Sequence, residues 1–475
     1  MIHKPTLRPS FFLRAGISLV LVCTVAISVH ANMITVTNTN DGGLGSLRHA
    51  LTIANDGDTI NFAVTGTITL TSGGLPINKN ITISGPGADQ LSVDGSQALL
   101  VFGVFPQKAA AMSGLTVRNG QIGIWNEQGT LAVNNCTVTG NSEVGVYNDG
   151  TLNMGNCIIT LNSFGLSNDH AAVTISNCAI TANSNGGIYN SGSHGPAQLF
   201  EHGTNHRDVK NMDNDCFFGA CLTVESSIIS DNSGTAISNS GSVVILNSTL
   251  SGNSARQGDR GGGIKTGDFK NPGSGATIIN STISGNSASE GGGISNCYGL
   301  VTVENSTISS NSAKLGGGIS NCGEVELANS TLSGNSAPTG LGGGIHSGGA
   351  LEIGNTIFNA GALGENIVNN GGTVTSHGYS LSSDDGGGVL TGPGDQVNTD
   401  PLLAPLQDNG GPTLTHLPLP GSPAIDAGDP EFARPPYHDQ RGSCFYRVFG
   451  RRIDIGSVET QPRPRCVTPA PRPIP

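Results

Sequence analysis

The sequence predicts an all-β protein built as a right-handed, single-stranded parallel β-helix with capping segments at both ends, and three observations carry this prediction. A short motif recurs along the middle of the chain at intervals of 21 to 26 residues. Each repeat contains short runs in which apolar and polar residues alternate, the pattern of β-strands. Glycine supplies 71 of the 475 residues and charged residues only 12%, which favours a thin core of small and aliphatic side chains.

The repeat is defined by three anchors. The first is an Asn-Cys or Asn-Ser step, or a close variant of it, and it starts at residues 135, 156, 177, 226, 247, 280, 305, 329 and 355. The second is an Asn-Ser pair that starts at residues 141, 162, 183, 253, 286, 311 and 335. The later repeats add Gly-Gly-Gly-Ile, ending at Ile264, Ile294, Ile319 and Ile345. Because Asn, Gly and Ser favour turns, the anchors bound short strands.

Three short strands per repeat fit one coil of a β-helix. Equivalent strands of successive coils then stack about 4.8 Å apart and place like residues on like. We expect an amide ladder along the column of Asn135, Asn156 and Asn177. The neighbouring column shares the inward parity of Val138, so its thiols are predicted to be buried and unpaired; its members are Cys136, Cys157 and Cys178.

A leucine-rich repeat is the rival solenoid of similar period. It requires a leucine-dominated pattern, whereas the apolar positions here mix Val, Ile and Leu. Helix-forming stretches are also absent from the repeats. The β-helix is therefore favoured.

The first 31 residues resemble an export signal. Lys4, Arg8 and Arg14 precede a mainly apolar run at 15–29, and small residues follow at the positions read by signal peptidase. The alternative is an uncleaved membrane anchor, but the run is short for a helix that must span a bilayer with about 20 apolar residues. We expect cleavage after Ala31.

Five regions follow from these patterns. Residues 1–31 are the signal peptide, 32–62 an N-terminal cap and first coil, and 63–370 the β-helix, with a loop inserted at about 190–220. From 371 to 460 the repeat fades into proline-rich turns, which predicts a capping segment, because the ends of a solenoid need a cover. Residues 461–475 are proline-rich and predicted to be disordered.

Cysteine use is mixed. Nine of the ten cysteines follow the predicted cleavage point, and an odd number cannot all pair within one chain. Cys216 and Cys221 could close a small disulfide loop in an oxidising compartment. Whether Cys444 pairs with Cys466 stays open.

The C-terminal stretch contains five ordered blocks: NTDPLLAPL (398–406), DNGGPTLTH (408–416), GSPAIDAG (421–428), DQRG (439–442) and DIG (454–456). With these blocks it resembles the choice-of-anchor Q domain of bacterial surface proteins. The stretch VTNTNDGGLGSLRHA (36–50) is similar to the CSLREA-type start of the same proteins, with Gly45 and His49 where that motif has Cys and Glu. The middle repeats are similar to those of chlamydial polymorphic outer-membrane proteins. The resemblance implies a surface or secreted β-helix with no established chemistry.

Two groups of residues were weighed as sites. The strings Asn398-Thr399-Asp400, Asp384-Asp385 and His377-Gly378 are short acidic or histidine motifs of the kind used by pectin hydrolases, but turn chemistry in a cap is favoured. The inserted loop carries histidines and aspartates that are weak candidates for a metal site, namely His194, His202, His206, Asp213 and Asp215. The sequence therefore predicts no catalytic residue, no metal site and no cofactor.

Three functions remain open. The leading one is a secreted or cell-surface protein without enzymatic activity, used for adhesion, ligand binding or display, with glycans or a neighbouring or host cell surface as partners. The alternatives are a polysaccharide lyase or glycoside hydrolase on the same scaffold, and a passive spacer. Two or more carboxylates in one column of the helix would favour an enzyme, and the aligned columns hold Asn, Ser, Gly and Thr instead. The net charge of −12 disfavours nucleic acid, and no membrane-spanning segment is expected after the signal.

Overall fold

In the computed structural model, the described residues are 31–97, 100–192, 220–267, 273–338 and 340–462. Four predictions fall outside these ranges: nearly all of the signal peptide, the histidines and aspartates of the inserted loop, Cys216 with Cys466, and the proline-rich tail. The described residues form 39 strands and one α-helix.

The strands are short and follow one another in a fixed order. The first coils contain β1 (Met33–Val36), α1 (Leu47–Ile53), β2 (Thr59–Phe62), β3 (Gly66–Thr69), β4 (Leu75–Ile77), β5 (Ile81–Ser84), β6 (Leu91–Asp94), β7 (Leu100–Val104), β8 (Ala109–Ser113), β9 (Thr116–Arg118), β10 (Ile122–Asn126), β11 (Thr130–Asn134), β12 (Thr137–Thr139) and β13 (Val144–Asn148). The middle coils contain β14 (Thr151–Gly155), β15 (Ile158–Thr160), β16 (Phe164–Asp169), β17 (Ala172–Ser176), β18 (Ala179–Thr181), β19 (Gly186–Ser191), β20 (Cys221–Glu225), β21 (Ile228–Ser230), β22 (Ile237–Asn239), β23 (Ser242–Leu246), β24 (Thr249–Ser251), β25 (Ile264–Thr266) and β26 (Gly275–Ile279). The last coils contain β27 (Thr282–Ser284), β28 (Ile294–Asn296), β29 (Leu300–Glu304), β30 (Thr307–Ser309), β31 (Ile319–Asn321), β32 (Glu324–Ala328), β33 (Thr331–Ser333), β34 (Ile345–Ser347), β35 (Ala350–Gly354), β36 (Ile357–Asn359), β37 (Ile367–Asn369), β38 (Val374–Gly378) and β39 (Leu381–Ser382).

From β2 onward, every third strand belongs to the same sheet, so three consecutive strands make one coil. Sheet A has 14 strands and contains β1, β2, β5 and every third strand up to β38. Sheet B has 13 strands, from β3 to β39, and sheet C has 12, from β4 to β37. Neighbouring strands in all three sheets pair in parallel. The predicted right-handed parallel β-helix is thereby confirmed.

Alternation along each strand decides what enters the core. In β10, for example, Ile124 and Asn126 are fully buried while Trp125 between them faces outward. The inward positions of successive coils carry Val, Ile and Leu and form one continuous apolar cluster from the first coil to the last. Burial of these aliphatic columns is the main stabilising contribution, at roughly 25 cal/mol per Å² of apolar surface.

Two ladders of buried asparagine amides border the core. One runs through sheet C with side-chain amide N–H donating to the next amide oxygen at 2.7–2.8 Å, along Asn126, Asn148, Asn168, Asn190 and Asn239. The other lies at the turn after sheet B with distances of 2.8–3.2 Å, along Asn141, Asn162, Asn183, Asn232, Asn253, Asn286, Asn311 and Asn335. Each ladder satisfies amides that would otherwise be costly to bury.

The ladder predicted at Asn135, Asn156 and Asn177 is wrong. These residues have φ values of 51°, 53° and 53°, and their exposed side chains are not joined by hydrogen bonds within the described structure. The left-handed backbone, which Asn tolerates better than most residues, turns the chain and directs the amide outward. In these three coils the asparagine makes the turn. Further along the same column, Asn305 Nδ2 donates to Asn280 Oδ1 at 2.7 Å and Asn355 Nδ2 to Asn329 Oδ1 at 3.0 Å.

The cysteine column behaves as predicted. Cys136, Cys157 and Cys178 are at most 1% exposed and all three are free thiols. The column continues in serines, whose hydroxyl oxygens accept from the backbone N–H one coil below, as Ser227 does from Cys178 at 3.0 Å. Burial raises the pKa of the Cys136 thiol to about 11, which keeps it protonated and unreactive.

An N-terminal cap closes the first coil. Ser46 accepts from the backbone N–H of His49 and starts α1, whose Leu47 packs into the core. Asp41 holds the cap in place, because one carboxylate oxygen accepts from Arg48 and the other from the backbone N–H groups of Thr71 and Ser72. The CSLREA-like stretch therefore forms this cap.

The C-terminal region has two parts, of which only the first is a cap. Strands β38 and β39 continue the last coil, and a 3-10 turn at Gly386–Gly388 with Leu390 covers the end of the core. The chain from 399 to 460, which we call the strap, then runs back along the outer surface of sheet B. Residues 383–398 thus lie at the end of the helix, whereas the strap lies along one side of it.

The described coils before and after residues 193–219 are consecutive in the stack. The coils on either side stack directly, with Ala172 paired to Cys221 and Ile188 to Ile237. Cys221 and Cys444 are each disulfide-bonded, and the partners considered for them, Cys216 and Cys466, lie outside the described residues.

Candidate functional site

The candidate site is the outer surface of sheet C along β10, β13, β16 and β19, which we call the open face. Its central column holds Trp125, Tyr147, Ser167 and Tyr189, paired directly from strand to strand. Tyr189 is 42% exposed. One strand further along, the column returns to a small residue, Ser238. Large aromatic side chains thus occupy three of four successive outward positions.

The core fixes the aromatic column in position. Each of its residues stands between an inward aliphatic residue and an inward asparagine of the amide ladder, as Tyr147 stands between Val146 and Asn148. The ring centroids of Trp125 and Tyr147 lie 5.9 Å apart at an interplanar angle of 82°, an edge-to-face pair. Because strands are about 4.8 Å apart, Tyr147 and Tyr189 are separated by two strand spacings with Ser167 between them. This gap is close to the length of a disaccharide.

Carboxylates line one side of the aromatic column. Glu127, Asp149 and Asp169 each follow the ladder asparagine of their own coil and are half-buried. The Tyr147 hydroxyl donates to Asp169 Oδ2 at 3.1 Å, and His170 Nδ1 lies 2.6 Å from Asp169 Oδ1. The site therefore presents flat apolar surfaces beside hydrogen-bond acceptors.

The neighbouring carboxylates affect the pKa of Tyr147. Burial, followed by the negative charges of Asp169 and Asp149, raises the pKa of Tyr147. The phenol is therefore neutral at physiological pH and keeps its proton as a hydrogen-bond donor.

An apolar groove continues the open face toward the N-terminus. It has a volume of about 590 Å³ and is lined in part by Leu75, Pro76, Leu100, Gly103 and Phe105. Gly103 occupies the same outward column as Trp125 one coil earlier, and Pro76 occupies it two coils earlier. The Leu100 side chain fills the space beside Gly103, where a Cβ atom would lie 2.8 Å from Leu100 Cδ2.

Aromatic residues also border the open face on its other side. Phe164 starts β16, is 38% exposed and pairs with Val144 of the preceding coil. Together with the central column it widens the apolar strip. The open face as a whole combines aromatic, carboxylate and hydroxyl groups on a rigid sheet.

The residues weighed from sequence lie elsewhere and make turns. Asp384 accepts from Ser382, Asn366 and Gly386 at the C-terminal cap. Asp400 accepts from the N–H of Leu402 two residues on, an Asx turn. His377 pairs with Glu352 at 3.1 Å on the outside of sheet A. The backbone N–H of Asn398 donates to the Asp384 carbonyl at 2.6 Å, so the first two strings adjoin, whereas His377 contacts Glu352.

Two further findings concern the described part of the chain. It contains no cluster of three His, Cys, Asp or Glu side chains that could share a metal ion. Its one α-helix, α1, has seven residues, too few to cross a bilayer.

Sequence reasoning missed the open face, although a signal was present. The triplets Trp-Asn-Glu at 125–127, Tyr-Asn-Asp at 147–149, Ser-Asn-Asp at 167–169 and Tyr-Asn-Ser at 189–191 recur once per coil. The alignment was anchored on the Asn-Cys step, about ten residues away from these triplets. The column of three carboxylates, which was set as the mark of an enzyme, is therefore present in a column that was not aligned.

Comparison with known proteins yields likenesses of architecture. No protein-family model matches the sequence, and no curated protein matches it. A pectate lyase, Pel9A, is similar at a TM-score of 0.39 and 15% identity, over 90% of this chain and 96% of that one. The A-module of the mannuronan C-5 epimerase AlgE6 of Azotobacter vinelandii is similar at 0.44 and 12%, over 74% and 99%. The catalytic unit of a GH87 α-1,3-glucanase of Streptomyces thermodiastaticus is similar at 0.37 and 15%, over 73% and 68%.

Proposed function

We propose that this chain is an exported surface protein that binds glycans along the open face of sheet C without processing them. The observation that carries the proposal is the column of Trp125, Tyr147 and Tyr189, held in register on the outer side of a rigid sheet, with Tyr189 42% exposed and the other two half-buried. Large aromatic side chains left on a surface favour an external partner.

The chemistry of the face suits a sugar chain. Aromatic rings offer flat apolar surfaces that pack against the C–H groups of sugar rings, and tyrosine adds a hydroxyl at the edge. The carboxylates of Asp149 and Asp169 accept hydrogen bonds from sugar hydroxyls, and such charge-assisted bonds are shorter and stronger than neutral ones. Because the face is acidic, neutral and amino-sugar glycans are favoured over polyuronates.

Export and display rest on different observations. The N-terminal signal pattern and the resemblance to choice-of-anchor Q surface proteins both support a location outside the cell. The disulfide bonds of Cys221 and Cys444 support it independently, because disulfides persist in oxidising compartments. Display on a stiff helix would hold the open face away from the cell that carries it.

A panel of immobilised glycans probed with the secreted protein tests the binding. We expect one glycan class to bind, and we expect Trp125→Ala, Tyr147→Ala and Tyr189→Ala to weaken that binding by roughly tenfold each, the usual loss for an aromatic anchor. Tyr437→Ala is the matched control, because Tyr437 is 59% exposed but lies on the strap. Unchanged binding by the triple variant would overturn the proposal.

An enzyme is the second candidate, and the column of Glu127, Asp149 and Asp169 favours it, because glycoside hydrolysis needs two carboxylates at one site. Prolonged incubation with the bound glycan distinguishes the two functions. If new reducing ends or unsaturated ends accumulate, and Asp149→Asn or Asp169→Asn abolishes them, the protein is an enzyme. Binding without product supports the first proposal.

A further inference from the structure

A pair of free cysteines stands on neighbouring coils at the far end of sheet C. Cys297 follows β28 and Cys322 follows β31, and these strands pair in register through Ser295 with Ser320 and Asn296 with Asn321. The backbone N–H of Cys322 donates to the carbonyl of Asn296 at 2.8 Å. Stacked positions on parallel strands are about 4.8 Å apart, within the Cα separation of roughly 4.4–6.8 Å that a disulfide spans.

The two thiols differ in exposure. Cys322 is exposed to solvent, whereas Cys297 is only 7% exposed. Their side chains share a hydrogen bond, and burial followed by the neighbouring Cys297 sulfur raises the pKa of Cys322. A reagent in solution therefore meets Cys322 first, and Cys297 lies directly behind it.

The Arg260 guanidinium contacts Cys297, the less exposed of the two thiols. Arg260 Nη1 donates to Cys297 Sγ at 3.1 Å. The same guanidinium is fixed by Glu290, with Arg260 Nε 2.9 Å from Glu290 Oε2. A cation held against a sulfur stabilises negative charge that develops on it.

The buried cysteine column provides a contrast within the same molecule. Cys136, Cys157 and Cys178 are also stacked on successive coils, but all three are at most 1% exposed. Stacking alone therefore does not make a reactive pair. Cys297 and Cys322 combine stacking with an exposed partner and a neighbouring cation.

We propose that Cys297 and Cys322 form a reversible thiol–disulfide site that small-molecule disulfides oxidise. The Cys322 thiolate attacks one sulfur of the external disulfide, which forms a mixed disulfide and releases one thiolate. Cys297 Sγ, stabilised by Arg260 as its proton leaves, attacks Cys322 Sγ and releases the second thiolate. The two cysteines lose two electrons and two protons, and the external disulfide becomes two thiols.

Treatment of the folded full-length protein with oxidised glutathione tests the site, followed by alkylation and peptide mass spectrometry without reduction. We expect a Cys297–Cys322 cross-linked peptide, formed faster as the pH rises and reversed by reduced glutathione. Cys136, Cys157 and Cys178 are internal controls and should remain unlinked. An unresolved glutathione adduct on Cys322 of the unmodified protein, or no reaction at all, would overturn the proposal.

Variants of the two cysteines and of Arg260 separate the steps. Cys297→Ser should stop at the mixed disulfide on Cys322, and Cys322→Ser should leave Cys297 unmodified. Both are expected to fold, because Ser240 occupies the equivalent position after β22.

Arg260→Met should accumulate the mixed disulfide, with partial rescue in Arg260→Lys. Arg256 is exposed, and Arg256→Met should behave as the unmodified protein. Equal resolution in Arg260→Met and the unmodified protein would remove Arg260 from the mechanism.

Discussion

The outer faces of sheets B and C are built by the same alternation, yet one is covered and the other is open. In the last coils, sheet B presents Thr282, Thr307 and Thr331, which are at most 1% exposed because the strap lies on them. The open face of sheet C presents Trp125, Tyr147 and Tyr189 in the equivalent outward positions. Whether an outward position in a β-helix is buried or exposed thus depends on whether another part of the chain packs over it.

Specific hydrogen bonds attach the strap to the covered face. Gln440 accepts from the Thr307 hydroxyl at 2.6 Å, and its amide N–H donates to the Thr282 hydroxyl at 2.9 Å. Ser457 donates to Thr331, and His416 Nε2 lies 2.9 Å from the Ser309 hydroxyl. Small hydroxylated residues permit this close approach, whereas large rings would block it.

Deleting one coil from each region gives the largest expected difference. Removal of residues 157–177 takes out 21 residues between equivalent positions of two coils that the strap does not cover. The flanking coils can then stack on each other, and both asparagine ladders can continue across the junction. Removal of residues 280–304 takes out 25 residues of a covered coil and removes the Thr282 contacts of the strap. We expect a folded, protease-resistant first variant and a protease-sensitive second one.

Circular dichroism and limited proteolysis measure this difference. A deletion of half a coil from the open region is the control, and it should unfold because it moves every inward side chain out of register. Equal resistance of the two whole-coil deletions would show that the strap does not depend on the coil beneath it.

The buried arginine of the strap gives the next largest effect. Arg447 is fully buried, and its Nη2 donates to Asn329 Oδ1 at 3.1 Å and to the carbonyl of Gly456 at 2.7 Å. Burial lowers the pKa of this guanidinium, opposed by the charges of Glu459, Asp439 and Asp454. Arg447→Ala should cost about 2–5 kcal/mol of the free energy of unfolding, because Asn329 Oδ1 and the Gly456 carbonyl lose their donor in a buried site, at about 1–3 kcal/mol each.

Denaturant unfolding measures that cost, with Arg451→Ala as the matched control. Arg451 is exposed, so its removal should change stability by less than about 0.5 kcal/mol. Similar losses in both variants would contradict the role given to Arg447.

Removing one threonine hydroxyl tests the same repeat position in two environments, under the strap and away from it. Thr307→Val leaves Gln440 Oε1 without its donor under the strap, at a cost of about 1–3 kcal/mol. Thr249→Val, at the equivalent and half-exposed position of β24, should be close to neutral. Thermal unfolding of both variants measures the difference, and a neutral Thr307→Val would mean that the strap adjusts without loss.

The stability of the strap and that of the N-terminal cap should depend on pH in opposite directions, and this is the smallest of the expected effects. Burial, followed by the charge of Asp454, raises the pKa of Glu459 to about 8. A folded-state pKa above the ordinary value of 4.5 contributes stability that is complete below pH 4.5 and is lost as the pH rises through about 8. The strap should therefore loosen in alkaline solution.

The N-terminal cap should loosen in acid. Against the opposing effect of burial, hydrogen bonds from Ser72 and Arg48 hold the pKa of Asp41 below its ordinary value of 3.8. Its stabilising contribution is present above that value and is lost as the pH falls below it. Proteolysis across the pH range should release strap peptides at alkaline pH and cap peptides at acid pH. Glu459→Gln, which imitates the protonated acid, should remove only the alkaline effect.

Much of the helix could be predicted because it is local and repetitive. The spacing of the Asn-Cys and Asn-Ser steps determined the coil, and alternation around Val138 determined that Cys136 points inward. The amide bonds expected between Asn135, Asn156 and Asn177 do not form, because spacing shows that residues stack but not which way they point. That direction depends on φ, and a residue such as Asn135 at φ 51° faces outward.

The sequence by itself determined the coil, the inward columns and the positions of the turns, because each depends on residues a few places apart and repeats once per coil. Only the tertiary structure decided which outward faces are free. The strap reaches its partners across 133 residues, from Gln440 to Thr307, and no periodic signal connects them. From the sequence, an outward-facing threonine that the strap covers cannot be distinguished from an outward-facing residue that stays exposed to solvent. Burial depends on what packs above a residue.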